Sequence, residues 1–88
     1  MDAEKIASSL NSRKVAVLGD KTTTLGIARE FAEELRNLIE FVVGEQEFLG
    51  YAVVNGETLV FRKRNEKTIL AFVDDEKLMG SMRKLMEL

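Results

Sequence analysis

Cysteine and histidine are both absent from this 88-residue sequence. Without cysteine, the chain has no disulfide, no thiolate nucleophile and no zinc site of the usual sulfur type. Without histidine, it lacks the commonest general base and metal ligand, and a Ser-His-Asp triad is excluded. The two absences predict a protein that is not an enzyme and that holds no metal or cofactor.

The sequence also has little net charge and no long apolar run. Its 13 basic and 15 acidic side chains give a net charge of -2, so no overall field attracts nucleic acid or anionic lipid. No stretch approaches the roughly 18 apolar residues of a membrane span, and residues 1–5 lack the features of a secretory signal. We expect a cytoplasmic protein without membrane insertion, and we do not expect nucleic acid as a partner.

What is present is typical of a small globular domain. The chain is 45% hydrophobic and 32% charged, which provides one core and a well-solvated surface. At this length, folding removes only about 60 to 65% of the accessible surface of the unfolded chain, so a second core has no room. No repeat or linker interrupts the sequence, and we predict one domain over residues 1–88.

The first quarter of the chain predicts a helix followed by a buried strand. Asp2 is a candidate N-cap, and Ile6 and Leu10 lie one helical turn apart. Residues 15–18 are apolar at every position, which is typical of a strand covered on both faces. Residues 22–27 favour either a second strand or the start of a helix. We favour the strand because three threonines and a glycine are poor helix interior.

Residues 28–43 carry the strongest helical periodicity, and the helix is predicted to stop at Gly44. At about 100° per residue, the apolar arc from Leu38 to Val43 spans roughly 140°, and Phe41 widens it. A helix that packs on one face of a sheet needs a narrower apolar stripe than this. Either the first or last helix covers the remainder, or the helix associates with another chain.

The second half predicts a three-stranded meander and a final helix. Asn55 and Gly56 are the strongest short-range hairpin signal, and a two-residue type I′ turn places Val54 opposite Glu57. The same register places Phe61 over Gly50. Residues 68–73 predict the next strand, and Asp74, Asp75 and Glu76 predict the acidic start of a helix. Its methionines are expected to fill the core, namely Met79, Met82 and Met86.

Two segments are weighed as ligand sites. The turn from Gly19 to Gly26 resembles a phosphate loop only superficially, because Lys21 comes too early for the Walker spacing. The hairpin tip is a candidate patch for an anion or an acidic partner, with the cations Arg62, Lys63, Arg64 and Lys67. A small-molecule or nucleotide-binding domain that uses both segments is the alternative function. The carboxylates Asp20, Asp74, Asp75 and Glu76 are explained by turn and cap roles.

The order of these elements resembles the roadblock/LC7 family of dynein light chains and small-GTPase regulators. The resemblance rests on residues 15–20, 28–43, 51–54 and 68–75 and their order. It implies an α+β, roadblock/profilin-like fold, α-β-β-α-β-β-β-α, with one mainly antiparallel sheet covered by helices on both faces. It also implies a non-catalytic homodimer or heterodimer, acting as a scaffold or as a regulator of a small GTPase. The long helix and middle strand would form the interface, through Phe31, Leu35, Leu38, Phe41, Val42, Leu49, Tyr51 and Val53.

Overall fold

The computed structural model describes residues 2–44 and 46–88. Over these residues the chain forms three α-helices, five β-strands and one 3-10 turn. In chain order they are α1 (Ala3–Leu10), β1 (Lys14–Leu18), β2 (Thr23–Leu25), α2 (Arg29–Val43), β3 (Phe48–Val54), β4 (Glu57–Arg64), β5 (Lys67–Val73), a 3-10 turn (Asp75–Lys77) and α3 (Leu78–Glu87). The strands form one antiparallel sheet in the order β2-β1-β5-β4-β3. The predicted α+β fold with a single antiparallel sheet is confirmed. Strand β2 lies within residues 22–27, where the sequence favoured a strand over the start of a helix.

Helix α1 is capped at each end by a residue type that is common at that position. The Asp2 carboxylate accepts a hydrogen bond of 3.0 Å from the Lys5 backbone N–H, which satisfies one of the first N–H groups of the helix. Asn11 ends the helix in the left-handed conformation, at φ 52°. Ile6 and Leu10 then face the sheet and are almost fully buried.

We expect Asp2→Ala to lower the free energy of unfolding by about 1 kcal/mol, because it removes the side-chain cap of α1. Glu4→Ala is the matched control, since it removes a carboxylate of the same turn that makes no cap bond. Urea denaturation followed by circular dichroism measures both. Equal losses of unfolding free energy in the two variants would show that Asp2 stabilises the helix only through its negative charge and not through the capping hydrogen bond.

The sheet buries both of its faces because alternate residues of each strand point to opposite sides. Val15 and Val17 face α1 and α3, whereas Ala16 and Leu18 face α2. The first layer is the cluster of Ala3, Ile6, Ala7, Leu10, Val15, Val17, Val60, Ile69, Ala71 and Leu85. The second is Ala16, Leu18, Ala32, Leu35, Ile39, Leu59, Phe61, Leu70 and Phe72. Helices therefore cover both faces of the sheet.

The hairpin between β3 and β4 has the predicted register. Val54 lies opposite Glu57, and the pairing continues to Gly50 opposite Phe61. A β-carbon on Gly50 would come within 3.2 Å of the Phe61 ring and 2.5 Å of the Phe48 ring. The two rings stack with their centroids 5.6 Å apart, so the missing side chain of Gly50 leaves room for both.

A tight corner at Gly26 leads from β2 into α2. Gly26 has φ +70°, and a β-carbon there would lie 1.9 Å from the carbonyl oxygen of Arg13. The α2 helix then buries Ala32, Leu35 and Ile39 against the sheet and ends at Gly44, which has φ +71°. The corner thus fixes where the long helix starts relative to β1.

The segment between β5 and α3 lacks the side-chain cap that was predicted at Asp74. Asp74 precedes the 3-10 turn without a side-chain capping bond, and the Asp75 carboxylate accepts a hydrogen bond from the Thr58 hydroxyl instead. A buried hydroxyl needs a hydrogen-bond partner, and the Asp75 carboxylate provides it.

Among the described helices, none is long and apolar enough to cross a membrane.

Candidate functional site

Asp20 lies apart from the other predicted turn and cap carboxylates, Asp74, Asp75 and Glu76. Asp20 follows the end of β1, whereas Asp74 and Asp75 follow the end of the antiparallel strand β5. They therefore lie at opposite ends of the sheet. Within residues 2–44 and 46–88, no group of three or more acidic side chains is placed to bind a metal ion.

The turn from Gly19 to Gly26 is held by structural contacts. The Thr23 hydroxyl accepts a hydrogen bond of 2.9 Å from the Ala3 backbone N–H, which ties β2 to the start of α1. Gly26 packs against the Arg13 backbone. Gly19 lies beside Lys67, since a β-carbon at Gly19 would be 3.2 Å from the Lys67 Cγ atom. This last contact brings one end of the turn next to the basic hairpin tip.

An exposed apolar stripe on α2 is the most prominent surface feature. It consists of Leu38, Phe41 and Val42, called the α2 stripe below, and Phe41 and Val42 are 89% and 74% exposed. The alternative in which α1 or α3 covers this part of the helix is wrong, because both helices pack on the other face of the sheet. Single exposed apolar residues are ordinary, but a contiguous group marks an interaction surface.

Strand β3 is the second exposed feature. It lies at one edge of the sheet, and its seven residues, FLGYAVV, contain neither proline nor charge. Natural proteins usually protect such edges, because the unpaired N–H and C=O groups invite another strand. Since a two-residue turn makes Val54 and Glu57 a hydrogen-bonded pair, the alternate residues Leu49, Tyr51 and Val53 direct their backbone groups away from β4.

The α2 stripe and β3 lie on the same side of the molecule. Phe31 of α2 and Val54 of β3 line one cavity of about 270 Å³, so this flank of the helix is on the β3 side. Leu38 and Val42 follow Phe31 by seven and eleven residues, which places them on the same flank. A partner could therefore contact the helix and the open strand edge together.

Most of the predicted interface residues are accessible, and one is not. Leu35 is 5% exposed and packs in the core under α2, so it offers almost no surface to a partner. Phe31 and Leu49 are half-buried. Tyr51 and Val53 are 58% and 68% exposed, and they point to the face of the sheet that carries α3. Leu38, Phe41 and Val42 are exposed as expected.

Four further exposed apolar residues were missed by sequence reasoning. Leu25 ends β2, Phe48 begins β3 beside Gly50, and Met79 and Met86 lie on α3. The prediction that all three α3 methionines fill the core is wrong for these two, and only Met82 packs partly against it. Their spacing of seven residues was the available signal, because it puts them on one flank of the helix, away from Leu85.

The predicted basic tip is divided between the two faces of the sheet. Lys63 points toward the end of α2, where its Nζ atom donates to the Gly44 carbonyl at 3.0 Å and lies 3.8 Å from the Glu40 carboxylate. Arg62 and Arg64 alternate with Lys63 along β4 and lie on the opposite face. Lys63 therefore does not belong to the same patch as the other three cations.

The structure defines a small α+β protein with one five-stranded antiparallel sheet between two helix layers. An uncharacterized protein of Archaeoglobus fulgidus is 36% identical over 87 residues, which span 99% of this chain and 95% of that protein. The chain belongs to the same family as this archaeal protein. No family model matches the chain, and no solved structure matches it significantly.

Proposed function

We propose that this protein is a non-catalytic dimerising module, in which two copies associate through the α2 stripe and strand β3. The observation that carries the proposal is the placement of an exposed apolar helix stripe and an open strand edge on one side of the molecule. A two-fold axis beside β3 would bring both features of each copy against those of the other.

The outward-facing backbone groups of β3 determine how two copies would pair in the proposed dimer. Two β3 strands that pair antiparallel about Tyr51 would exchange about six N–H···O=C bonds through Leu49, Tyr51 and Val53 of each copy. The arrangement would join the two sheets into one. It would also bring the two α2 stripes together, so that Phe41 and Val42 would leave water when the strands pair.

The resemblance to the roadblock/LC7 family supports the same arrangement. Members of that family dimerise through the long second helix and the middle strand, which correspond to α2 and β3. We propose that this chain shares the role that the resemblance implies, as a scaffold or a regulator that binds another protein. A small GTPase is the partner class that we would test first.

Multi-angle light scattering of the wild type and of the double variant Leu38→Glu with Phe41→Glu tests the interface. We expect a wild-type mass of about twice 9.9 kDa and a folded monomer for the variant, because burying two carboxylates in an apolar contact is strongly unfavourable. Circular dichroism confirms that the variant is folded.

The matched control is Met79→Glu with Met86→Glu, which makes the same chemical change at two exposed apolar residues on the other face of the sheet. We expect this control to remain a dimer. A wild-type monomer at concentrations of tens of micromolar, or a control that dissociates equally, would contradict the proposed interface.

A further inference from the structure

Three cations lie close together at the end of the β4–β5 hairpin, on the face of the sheet that carries α3. Arg62 and Arg64 are two residues apart on β4, and Lys67 of β5 is directly opposite Arg64. Residues opposite each other in an antiparallel pair point to the same face. The three positive charges therefore share one small area of the surface.

This arrangement is electrostatically unfavourable by itself. Like charges directly opposite each other on paired strands lower stability. Lys14, Arg29, Lys63 and Lys77 each lie within 4.0 Å of a carboxylate, but Arg62, Arg64 and Lys67 form no such pair with the described residues. Glu47, which reaches the same turn, accepts a hydrogen bond from the Asn65 backbone N–H instead.

The cations line a concave site. A hollow of about 320 Å³ opens beside the end of α3, and we call it the basic hollow. Its lining is Arg62, Arg64, Asn65, Lys67, Ile69 and Leu88, which includes no acidic side chain. The Arg62 guanidinium donates to the Leu85 carbonyl, which fixes its position, and Gly19 leaves room for the stem of Lys67.

We propose that the basic hollow binds a ligand that carries two linked phosphate groups. Arginine presents a planar set of N–H donors that matches phosphate oxygens, and lysine adds a mobile positive charge. The two arginines are about 6.6 Å apart along the strand, which is more than one phosphate spans and suits a diphosphate. The bound anion would neutralise the repulsion between Arg64 and Lys67.

Inorganic pyrophosphate is the probe, titrated at low salt into the wild type, Arg64→Gln and Lys67→Gln, with thermal unfolding and calorimetry as readouts. We expect a saturable rise in the melting temperature of the wild type. Each substitution should weaken the apparent Kd about tenfold, because it removes one charged contact. Without pyrophosphate, both variants should melt above the wild type, since the like-charge repulsion is relieved.

Arg13→Gln is the control, because Arg13 is an exposed cation that precedes β1 at the opposite end of the sheet. It should leave the pyrophosphate response unchanged. No response in the wild type, or an equal loss of response in Arg13→Gln, would overturn the proposal. So would a lower melting temperature of both variants without ligand. The site uses one copy only, so the Leu38→Glu with Phe41→Glu variant should keep the response whatever its mass.

Discussion

Gly26→Ala is expected to lower the free energy of unfolding by about 3 kcal/mol or more, which is a large fraction of the roughly 5–15 kcal/mol that stabilises a typical domain. Two effects add at this position. The backbone has φ +70°, which an L-residue with a β-carbon adopts only at a cost of about 1–2 kcal/mol. In addition, the new carbon would lie 1.9 Å from the Arg13 carbonyl oxygen, which forces the main chain of the corner to move.

Gly56→Ala separates these two effects. Gly56 has φ +80°, but nothing lies within 4 Å of a β-carbon there. The free energy of unfolding of Gly56→Ala should therefore fall only by the backbone conformational cost, about 1–2 kcal/mol. Guanidinium denaturation of both variants gives the comparison, and equal losses would show that the corner before α2 can relax. A displaced corner would also move α2, so Gly26→Ala should weaken any contact made by the α2 stripe.

Tyr51→Pro is expected to convert the proposed dimer to a monomer without unfolding it. The N–H of Tyr51 points away from β4, so a proline there leaves the internal ladder intact, as it does on other edge strands. It removes the central donor of each copy from the proposed pairing of two β3 strands. Light scattering gives the mass of the variant, and circular dichroism checks its fold.

Ala52→Pro is the matched comparison one residue further along. The N–H of Ala52 points toward β4, where Ala52 lies opposite Leu59, so this proline breaks a bond within the sheet. We expect it to cost about 2–3 kcal/mol more in unfolding free energy than Tyr51→Pro. A Tyr51→Pro protein that stays dimeric would show that copies do not associate through β3, and similar stabilities would contradict the strand register.

Local sequence patterns predicted the strands and the hairpin well. The turn at Asn55 and Gly56 fixes the register of β3 and β4, because both residues tolerate positive φ and the side-chain period is two. The buried strand at residues 15–18 and the length of α2 followed from periodicity alone. Even the short strand β2 was favoured correctly, since threonine suits a strand and glycine weakens a helix.

Residue-level burial was predicted less well where a neighbouring element decides it. Leu35 and Leu38 have the same side chain and lie on the same helix, yet one is in the core and the other is exposed. The difference depends on which flank of α2 contacts the sheet. Met79 and Met86 were misplaced for the same reason, because the position of α3 over β4 leaves their flank uncovered.

By itself, the sequence determined that the chain lacks cysteine and histidine, that it has the patterns of five strands and three helices, and how β3 pairs with β4. These properties follow from composition, periodicity and turn chemistry, which act over a few residues. Only the tertiary structure decided that β3 is an edge, that the α2 stripe lies beside it, and that Lys63 is separated from Arg62, Arg64 and Lys67. Those outcomes depend on the order of the strands and on helix placement, which arise from contacts between segments far apart in the chain.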